Sequence, residues 1–442
     1  SVWFPFATHS GLAAQVEGWL SQVRARVRMG AHCPEAQQDL CALLDEMRLF
    51  KDASELSTMR RAAQISAGAH VRAMQASARM LRAGDDAREY HLEAELLHEF
   101  RRHGSQFPAY TSIVAAGANA CVLHYRADTA PLKTGELVLI DAGCELDGYA
   151  SDITRTFPAA GRFTPEQRAL YDIVWAAQEA SAAATKPGAR FNDPHWAAVR
   201  VLSQGLLDEG LLLKDKVGTL DDVIEKRAYF RFYMHRTSHW LGMDVHDCGS
   251  YVEPSEADQI SSRVDPISGQ TVQERPSRIL RPGMVLTLEP GLYVRPADDV
   301  PERFWHIGIR IEDDAVVTES GCELITRDGA MSIKDTLDAE GSLAARLDLV
   351  DAGGATLASN AAVRAGPTAG YVTLSVASTT APANAAYVLV VISGNATAAA
   401  AKFSVDDIVV TEALPPPAPA GAAIAPLTPV DDNPDTGAAP PP

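Results

Sequence analysis

The chain has 442 residues, of which 46% are hydrophobic and 22% charged, and its formal net charge is −18 with a pI near 5.1. This length predicts two or three domains, and the ordinary apolar content permits a large core. The acidic balance argues against a binder of nucleic acid or anionic membrane, because both need a basic surface. No apolar run approaches the roughly 18 residues that a membrane span requires. We therefore expect neither nucleic acid nor membrane among its partners.

The six cysteines are widely scattered and include no C-x-x-C pair, which predicts reduced thiols. The first residues, SVWFPFATHS, lack the charged-then-apolar pattern of a signal peptide. Ser1 in place of methionine suggests a truncated or processed start. Together these features predict a cytoplasmic protein.

Two helices are predicted in residues 1–50. Apolar residues recur at helical spacing from Leu12 to Val27, and Pro34 is placed to open a second helix that runs through Met47. A long helix is predicted from Asp52.

The middle of the chain alternates between helical and strand patterns. Another helix is predicted over residues 90–103, and strands follow in TSIVAAG and ELVLIDAGCELDGYASDITRTF. Helices return over 165–184 and 193–209, and a second set of strands spans MVLTLEPGLYV and IGIRIEDDAVVT. Two halves of helix plus strand, with the helices on one side, predict an α+β domain.

The composition changes after Asp328, where Ala, Val, Thr and Gly dominate. The alternating runs RLDLV, YVTLSVAS, AYVLVVIS and KFSVDDIVV predict half-buried strands of a small β-sandwich-like module over residues 331–413. Residues 414–442 are rich in Pro and Ala and are predicted to be extended or disordered.

Five residues in short, distinctive segments are candidate metal ligands. They are Asp141 in GELVLIDAG, Asp152 in GYASDITRTFP, His239 in MHRTSHWLGMDVHD, Glu289 in LTLEPGLY and Glu312 in GIRIEDD. Carboxylate oxygens favour Mn, Mg or Ca, and a single histidine shifts the preference toward Mn, Fe, Co or Zn. Two such ions can share a hydroxide and polarise a carbonyl, which is the chemistry of aminopeptidases.

Each carboxylate also has a structural interpretation. Asp141 or Asp152 alone could cap a turn, but the two are separated by a turn at Asp147–Gly148, and such a hairpin can bring both onto one face. Adjacent carboxylates repel each other unless cations neutralise them. Glu312 lies beside apolar residues, and its burial without a partner would be costly. Metal binding explains the set better than packing does.

Three histidines, His235, His239 and His246, fall within one short segment. One of them can bind metal as a neutral imidazole while the others donate to the substrate.

These segments resemble those of the pita-bread metallopeptidases, and within them the Xaa-Pro aminopeptidase (aminopeptidase P) branch, from about Met47 to Asp328. The resemblance implies a pita-bread catalytic domain over residues 51–330, with the metals between two pseudo-symmetric halves. Residues 1–50 would be the helical remnant of an N-terminal domain that helps to close the cleft and to build a homo-oligomer. The β-rich extension and the Pro-rich tail lie outside the resemblance.

The resemblance also implies a role for each candidate residue. Asp141 would bind one metal, His239 and Glu289 would hold the other, and Asp152 and Glu312 would bridge them. The implied cofactors are two divalent ions, manganese first, with Co, Fe or Zn as alternatives.

Further residues would act on the substrate or support the site. Glu289 would shuttle a proton to the leaving amine. The residues that would line the pocket or support it are His124, His235, His246, Tyr293 and Arg310. Arg310 could equally form a structural ion pair with Asp152 or Glu312. The family often has Gly-Leu where Arg236-Thr237 stands here, which alters the rim of the pocket.

The implied reaction is hydrolysis of the bond between an N-terminal residue and a following proline by a metal-bridging hydroxide. The implied partners are peptides with proline at the second position. Two alternatives stay open: an Xaa-Pro dipeptidase of the same fold, and a catalytically impaired peptide-binding protein.

Overall fold

The computed structural model describes residues 1–127 and 129–327, and three further strands at 343–350, 356–364 and 387–393. The helices in these residues are α1 (Leu12–Arg24), α2 (Leu40–Leu49), α3 (Ala53–Ala83), α4 (Glu89–Arg102), α5 (Pro165–Ala184), α6 (Asp193–Asp208), α7 (Lys214–Val217) and α8 (Leu220–Glu225). In that part of the chain, no helix has the length and apolar character needed to cross a bilayer. The six cysteines, which all lie in it, are unpaired.

The strands fall into small sheets. Those before residue 200 are β1 (Val2–Phe4), β2 (Gln37–Asp39), β3 (Phe107–Pro108), β4 (Ile113–Ala116), β5 (Leu137–Asp141), β6 (Cys144–Leu146), β7 (Tyr149–Ala150) and β8 (Thr154–Pro158). The later ones are β9 (Ser261–Val264), β10 (Thr271–Glu274), β11 (Val285–Leu288), β12 (Gly291–Val294), β13 (Ile307–Arg310), β14 (Asp313–Val317), β15 (Cys322–Leu324), β16 (Leu343–Val350), β17 (Thr356–Arg364) and β18 (Tyr387–Ser393).

The N-terminal region contains the two predicted helices, but their bounds differ from the prediction. α1 ends at Arg24, before Val27. α2 begins at Leu40 instead of near Pro34, because the Asp39 side chain caps it by accepting the Cys41 amide, and β2 pairs with β1 just before the cap. A parallel strand pair between residues far apart in sequence leaves no local pattern.

α3 starts where the sequence predicted. The Asp52 carboxylate accepts the amides of Ser54 and Glu55, and the Glu55 side chain accepts the Asp52 amide, so the capping box is complete. The helix ends at Gly84, whose φ of 78° is the left-handed conformation that favours glycine. This long helix packs on β6 and β7.

Two sheets form the centre of the domain. In the first, β5 lies between β4 and β8, and all pairings are antiparallel. In the second, β14 lies between β11 and β15. α4, paired with α3, packs on β4, and α5, paired with α6, packs on β11 and β15. The largest apolar cluster joins these helices to the first sheet. The architecture is α+β, as predicted.

The C-terminal strands form one antiparallel sheet, in which β16 lies between β17 and β18. β16 and β18 contain the predicted runs RLDLV and most of AYVLVVIS, whereas β17 falls where no strand was predicted. The runs YVTLSVAS and KFSVDDIVV and the Pro-rich tail lie outside the described residues.

Gly143 lies where the chain leaves the strand of Asp141, and it has no room for a side chain. A Cβ there would lie 1.7 Å from the Ser151 carbonyl oxygen. We expect Gly143→Ala to lower the free energy of unfolding by about 3 kcal/mol, because main-chain atoms must move.

The measurement is urea unfolding with Gly18→Ala as the matched control. Gly18 lies inside α1, and a Cβ there would have no other atom within 4 Å, so alanine should stabilise the fold by about 0.5–1 kcal/mol. Equal effects of the two substitutions would contradict the argument.

Candidate active site

The first half of the domain brings Asp141 and Asp152 together. Asp141 ends β5, and Asp152 precedes β8, the strand that pairs with β5. The hydroxyl oxygen of Tyr110 lies 2.7 Å from Asp141 Oδ1 and 2.5 Å from Asp152 Oδ1. Both carboxylates therefore face one point, as the hairpin argument predicted.

Glu312 joins them from the second half. It lies between β13 and β14, and a bridge between Thr154 and Glu312 connects this segment to β8. The Thr154 hydroxyl donates to Glu312 Oε2 at 2.6 Å, and only 2% of Glu312 is exposed. The two halves are thus joined at the site itself.

His239 and Glu289 are neighbours because residues 237–241 run alongside β11. The Thr287 amide donates to the His239 carbonyl, and the Glu289 amide donates to the Thr237 carbonyl at 2.8 Å. His239 Nε2 lies 3.4 Å from Asp152 Oδ2 and 3.8 Å from Glu289 Oε1. Ligand atoms of Asp152, His239 and Glu312 all lie within 4.8 Å of one another.

The orientation of the His239 ring suits a metal ligand. Nδ1 lies 3.0 Å from the Trp240 carbonyl oxygen, which can only accept, so Nδ1 bears the proton. Nε2 is then left facing the carboxylates, and metal-binding histidines are commonly oriented in this way. Burial opposes protonation of this ring, but Asp152 and Glu289 raise its pKa to about 9. A divalent ion can take the place of that proton.

The electrostatics of the acidic residues also suit bound cations. Burial raises the pKa of Asp141, raises that of Glu289 to about 7 and raises that of Glu312 well above its usual range, and neighbouring carboxylates add to each shift. Burial therefore makes the charged forms of these carboxylates costly in the metal-free site. Bound divalent ions would lower these pKa values and relieve the repulsion.

Arg310 and Tyr293 form a supporting chain of hydrogen bonds. Arg310 forms an ion pair with Asp141, and its Nη1 donates to the Tyr293 hydroxyl at 3.0 Å. The alternative of an ion pair with Asp152 or Glu312 differs from the structure, in which the guanidinium contacts Asp141 and the Thr154 hydroxyl. Tyr293 contacts His235 Nε2 at 2.9 Å.

Both ring nitrogens of His235 are engaged by the protein. Nδ1 donates to the Arg236 carbonyl oxygen at 2.7 Å, so Nε2 accepts a hydrogen bond from the Tyr293 hydroxyl. Burial lowers the pKa of His235 to about 3, which keeps the ring neutral.

The five candidate ligands, Tyr110, His235 and Arg310 line one cavity of about 370 Å³, whereas Tyr293 lies behind Arg310 and His235. His124 and His246 lie exposed at its mouth, and the His246 ring is 4.3 Å from the His239 ring. His124 follows a short 3-10 helix over Gly117–Cys121. An apolar wall completes the cavity and consists of Ile113, Leu123 and Val245.

Some polar residues of the site were not predicted. Besides Tyr110 and Thr154, Asp314 is fully buried and its Oδ2 accepts the Asp152 amide at 3.1 Å. Tyr110 precedes β4, and the pairing of Ile113 with Asp141, a long-range contact that leaves no local pattern, brings the tyrosine to the carboxylates. Thr154 and Asp314 are adjacent to predicted ligands but have no distinguishing pattern of their own.

A buried cluster of acidic residues and one histidine between two strand-rich halves defines a metallopeptidase-like site. The profile of metallopeptidase family M24 matches residues 57–319, and the chain belongs to this family, whose enzymes use divalent metal ions. The structure is similar to that of aminopeptidase PepP from Pseudomonas aeruginosa, at 44% identity and a TM-score of 0.63 over 76% of this chain and 69% of that one. The fold is therefore the pita-bread fold.

Two Xaa-Pro aminopeptidases are similar in sequence. The one from Escherichia coli K12 is 44% identical over 311 residues, which cover 70% of this chain and 64% of the relative. The one from Haemophilus influenzae is 44% identical over 284 residues, 64% of this chain and 59% of the relative. The chain thus spans less than two thirds of each of these curated relatives.

Divalent cations are expected to stabilise the fold. At a free concentration of 100 times Kd, an ion that binds only the folded state adds about 2.7 kcal/mol to the free energy of unfolding. The measurement is thermal unfolding of metal-free protein with and without Mn²⁺.

The matched variants separate site binding from surface binding. Asp152→Asn combined with Glu312→Gln should abolish the increase in Tm, whereas Asp299→Asn, in an exposed ion pair with Arg231, should retain it. An undiminished increase in the double variant would place the ion elsewhere.

Proposed function

We propose that this protein is a metal-dependent Xaa-Pro aminopeptidase, which hydrolyses the bond between an N-terminal residue and a following proline. The observation that supports it most directly is the convergence of Asp152, His239 and Glu312 in a cavity that Asp141 and Glu289 also line. The similarity to two Xaa-Pro aminopeptidases supports the proline specificity.

The five residues would hold two divalent ions, of which we propose manganese, because four carboxylates and one imidazole match its preference. When bound, such ions activate water as a nucleophile and polarise the scissile carbonyl. Asp141, Asp152, His239, Glu289 and Glu312 are the proposed ligands.

Glu289 would move the proton. It accepts a proton from the attacking water and delivers it to the proline nitrogen as the C–N bond breaks. Its carboxylate is suitably placed, since Oε1 and Oε2 lie 3.8 Å from His239 and 3.7 Å from His235 and the side chain is mostly buried.

His124 and His246 would contact the substrate. Both line the cavity, and neither ring has a hydrogen-bond partner among the described residues, in contrast to His235. Their N–H groups are thus available to the substrate carbonyl or to the developing oxyanion. The apolar wall of Ile113, Leu123 and Val245 would accept the pyrrolidine ring, whose fixed φ and missing N–H distinguish it from other residues.

The test is release of the first residue from Ala-Pro-Ala and Ala-Ala-Ala by metal-free protein to which Mn²⁺ is added. We expect metal-dependent cleavage of the proline peptide alone. Equal cleavage of both peptides would contradict the proline specificity. No cleavage by protein that retains Mn²⁺ would favour the peptide-binding alternative.

A further inference from the structure

Three arginines line the acidic cavity, namely Arg126, Arg236 and Arg310. Arg310 is buried and engaged by Asp141 and Tyr293, and Arg126 Nη1 donates to the Thr111 carbonyl oxygen at 2.6 Å. The Arg236 side chain is exposed, and its guanidinium forms no hydrogen bond or ion pair with any residue that the structure describes. A free cation therefore faces a cavity in which the other charged groups are mostly acidic.

The main chain around Arg236 is held firmly on both sides. Its carbonyl oxygen accepts His235 Nδ1, and the next residue, Thr237, is fully buried with its hydroxyl 2.8 Å from His195 Nδ1. The Thr237 carbonyl also accepts the Glu289 amide. Arg236 is thus fixed beside the proposed proton-transfer group, while its side chain stays free for a ligand.

We propose that Arg236 binds a carboxylate of the substrate and so makes short peptides with a free C-terminus, Xaa-Pro-Yaa, the preferred substrates. This inference rests on the proposed function for the position of the scissile bond. A guanidinium matches a carboxylate in shape and can donate two parallel hydrogen bonds to it.

The size of the cavity agrees with a short substrate. Its volume of about 370 Å³ is near the lower end of ligand pockets. Extended residues span roughly 3.5 Å each, so the C-terminal carboxylate of Xaa-Pro-Yaa lies roughly 7 Å beyond the scissile bond. Arg236 lines the same cavity as the five proposed metal ligands.

An acidic side chain at the third position would present the same chemical group. Three peptides distinguish a C-terminal carboxylate from a side-chain carboxylate: Ala-Pro-Ala, its C-terminal amide Ala-Pro-Ala-NH2, and Ala-Pro-Asp-NH2. If Arg236 recognises the C-terminus of the peptide, only Ala-Pro-Ala should bind tightly. If it recognises any nearby carboxylate, Ala-Pro-Asp-NH2 should bind tightly as well.

The experiment measures dissociation constants by calorimetry in the Mn²⁺-loaded Glu289→Gln protein, in which turnover is suppressed. We expect the free acid to bind about tenfold more tightly than the amide, the factor that one charge-assisted hydrogen bond typically supplies. Adding Arg236→Met should reduce this ratio to near one, and Arg236→Lys should retain part of it. High salt should also reduce the ratio.

Arg61→Met is the matched control, because Arg61 is an exposed arginine of α3 that does not line the cavity. It should leave the ratio unchanged. A ratio that is near one before Arg236 is changed, or that survives Arg236→Met, would overturn the proposal. Binding is measured without turnover, so the two proposals can fail separately. If the protein cleaves no peptide but still binds Ala-Pro-Ala more tightly than Ala-Pro-Ala-NH2, the role of Arg236 stands and the proposed function fails.

Discussion

Replacement of Glu289 by glutamine is expected to lower kcat for Ala-Pro-Ala by roughly 10²–10⁴-fold, the range that general acid–base catalysis contributes. Glutamine keeps the shape of the side chain but can neither accept a proton from water nor deliver one to the proline nitrogen. Burial raises the pKa of Glu289 to about 7 in the metal-free site, and bound divalent ions would lower it. The measurement is steady-state kinetics with Mn²⁺ at pH 7.

Two controls separate a loss of proton transfer from a loss of bound metal or of overall integrity. The Mn²⁺ content of the variant is measured in parallel, because Glu289 is also a proposed ligand and a protein that has lost its metal would be inactive for that reason. Glu274→Gln, on an exposed hairpin strand, should leave kcat unchanged. A metal-loaded Glu289→Gln protein with kcat within tenfold of the parent would exclude Glu289 as the proton carrier.

Replacement of Arg155 by methionine is expected to lower the free energy of unfolding by about 3–5 kcal/mol, the usual cost of removing one partner of a buried ion pair. Arg155 Nη2 donates to Asp313 Oδ1 at 2.7 Å, and the two side chains are 6% and 1% exposed. Arg155 Nη1 also donates to the Glu312 carbonyl oxygen. The substitution leaves the Asp313 charge buried with weaker compensation and loosens the segment that holds Glu312.

The measurement is urea unfolding of the metal-free protein at pH 7. Arg168→Met is the matched control, because Arg168 pairs with Asp172 on the exposed surface of α5 and that pair should contribute about 0.3–0.5 kcal/mol. Similar losses in the two variants would mean that burial does not determine the strength of the Arg155 pair.

Much of the fold could be predicted from local sequence because its signals are local. The start of α3 at Asp52 and the start of α5 after Thr164 depend on capping boxes that span four residues each. β5, which ends at Asp141, and β11, which Glu289 follows, are short apolar runs ended by polar residues. The same reasoning placed α2 too early, because β2 forms by pairing with a strand more than thirty residues away.

The candidate site also contains residues that local sequence identifies and residues that only long-range pairing brings in. The five proposed ligands stand out by residue type and by the wording of their segments, and the structure places all five in one cavity. Tyr110, by contrast, reaches Asp141 and Asp152 only through the register of β4 on β5. A tyrosine before a strand has no pattern that distinguishes it from any other tyrosine.

The sequence by itself determined the α+β class, the acidic character and the identity of the five proposed metal ligands, because these depend on composition, periodicity and short motifs. Only the tertiary structure decided which of those residues are partners. Arg310 pairs with Asp141, both nitrogens of His235 are engaged, and Arg236 has no partner among the described residues. The physical reason is that hydrogen bonds and ion pairs require atoms to meet within a few ångströms. Strand register and packing between distant segments set those distances, and no local pattern encodes them.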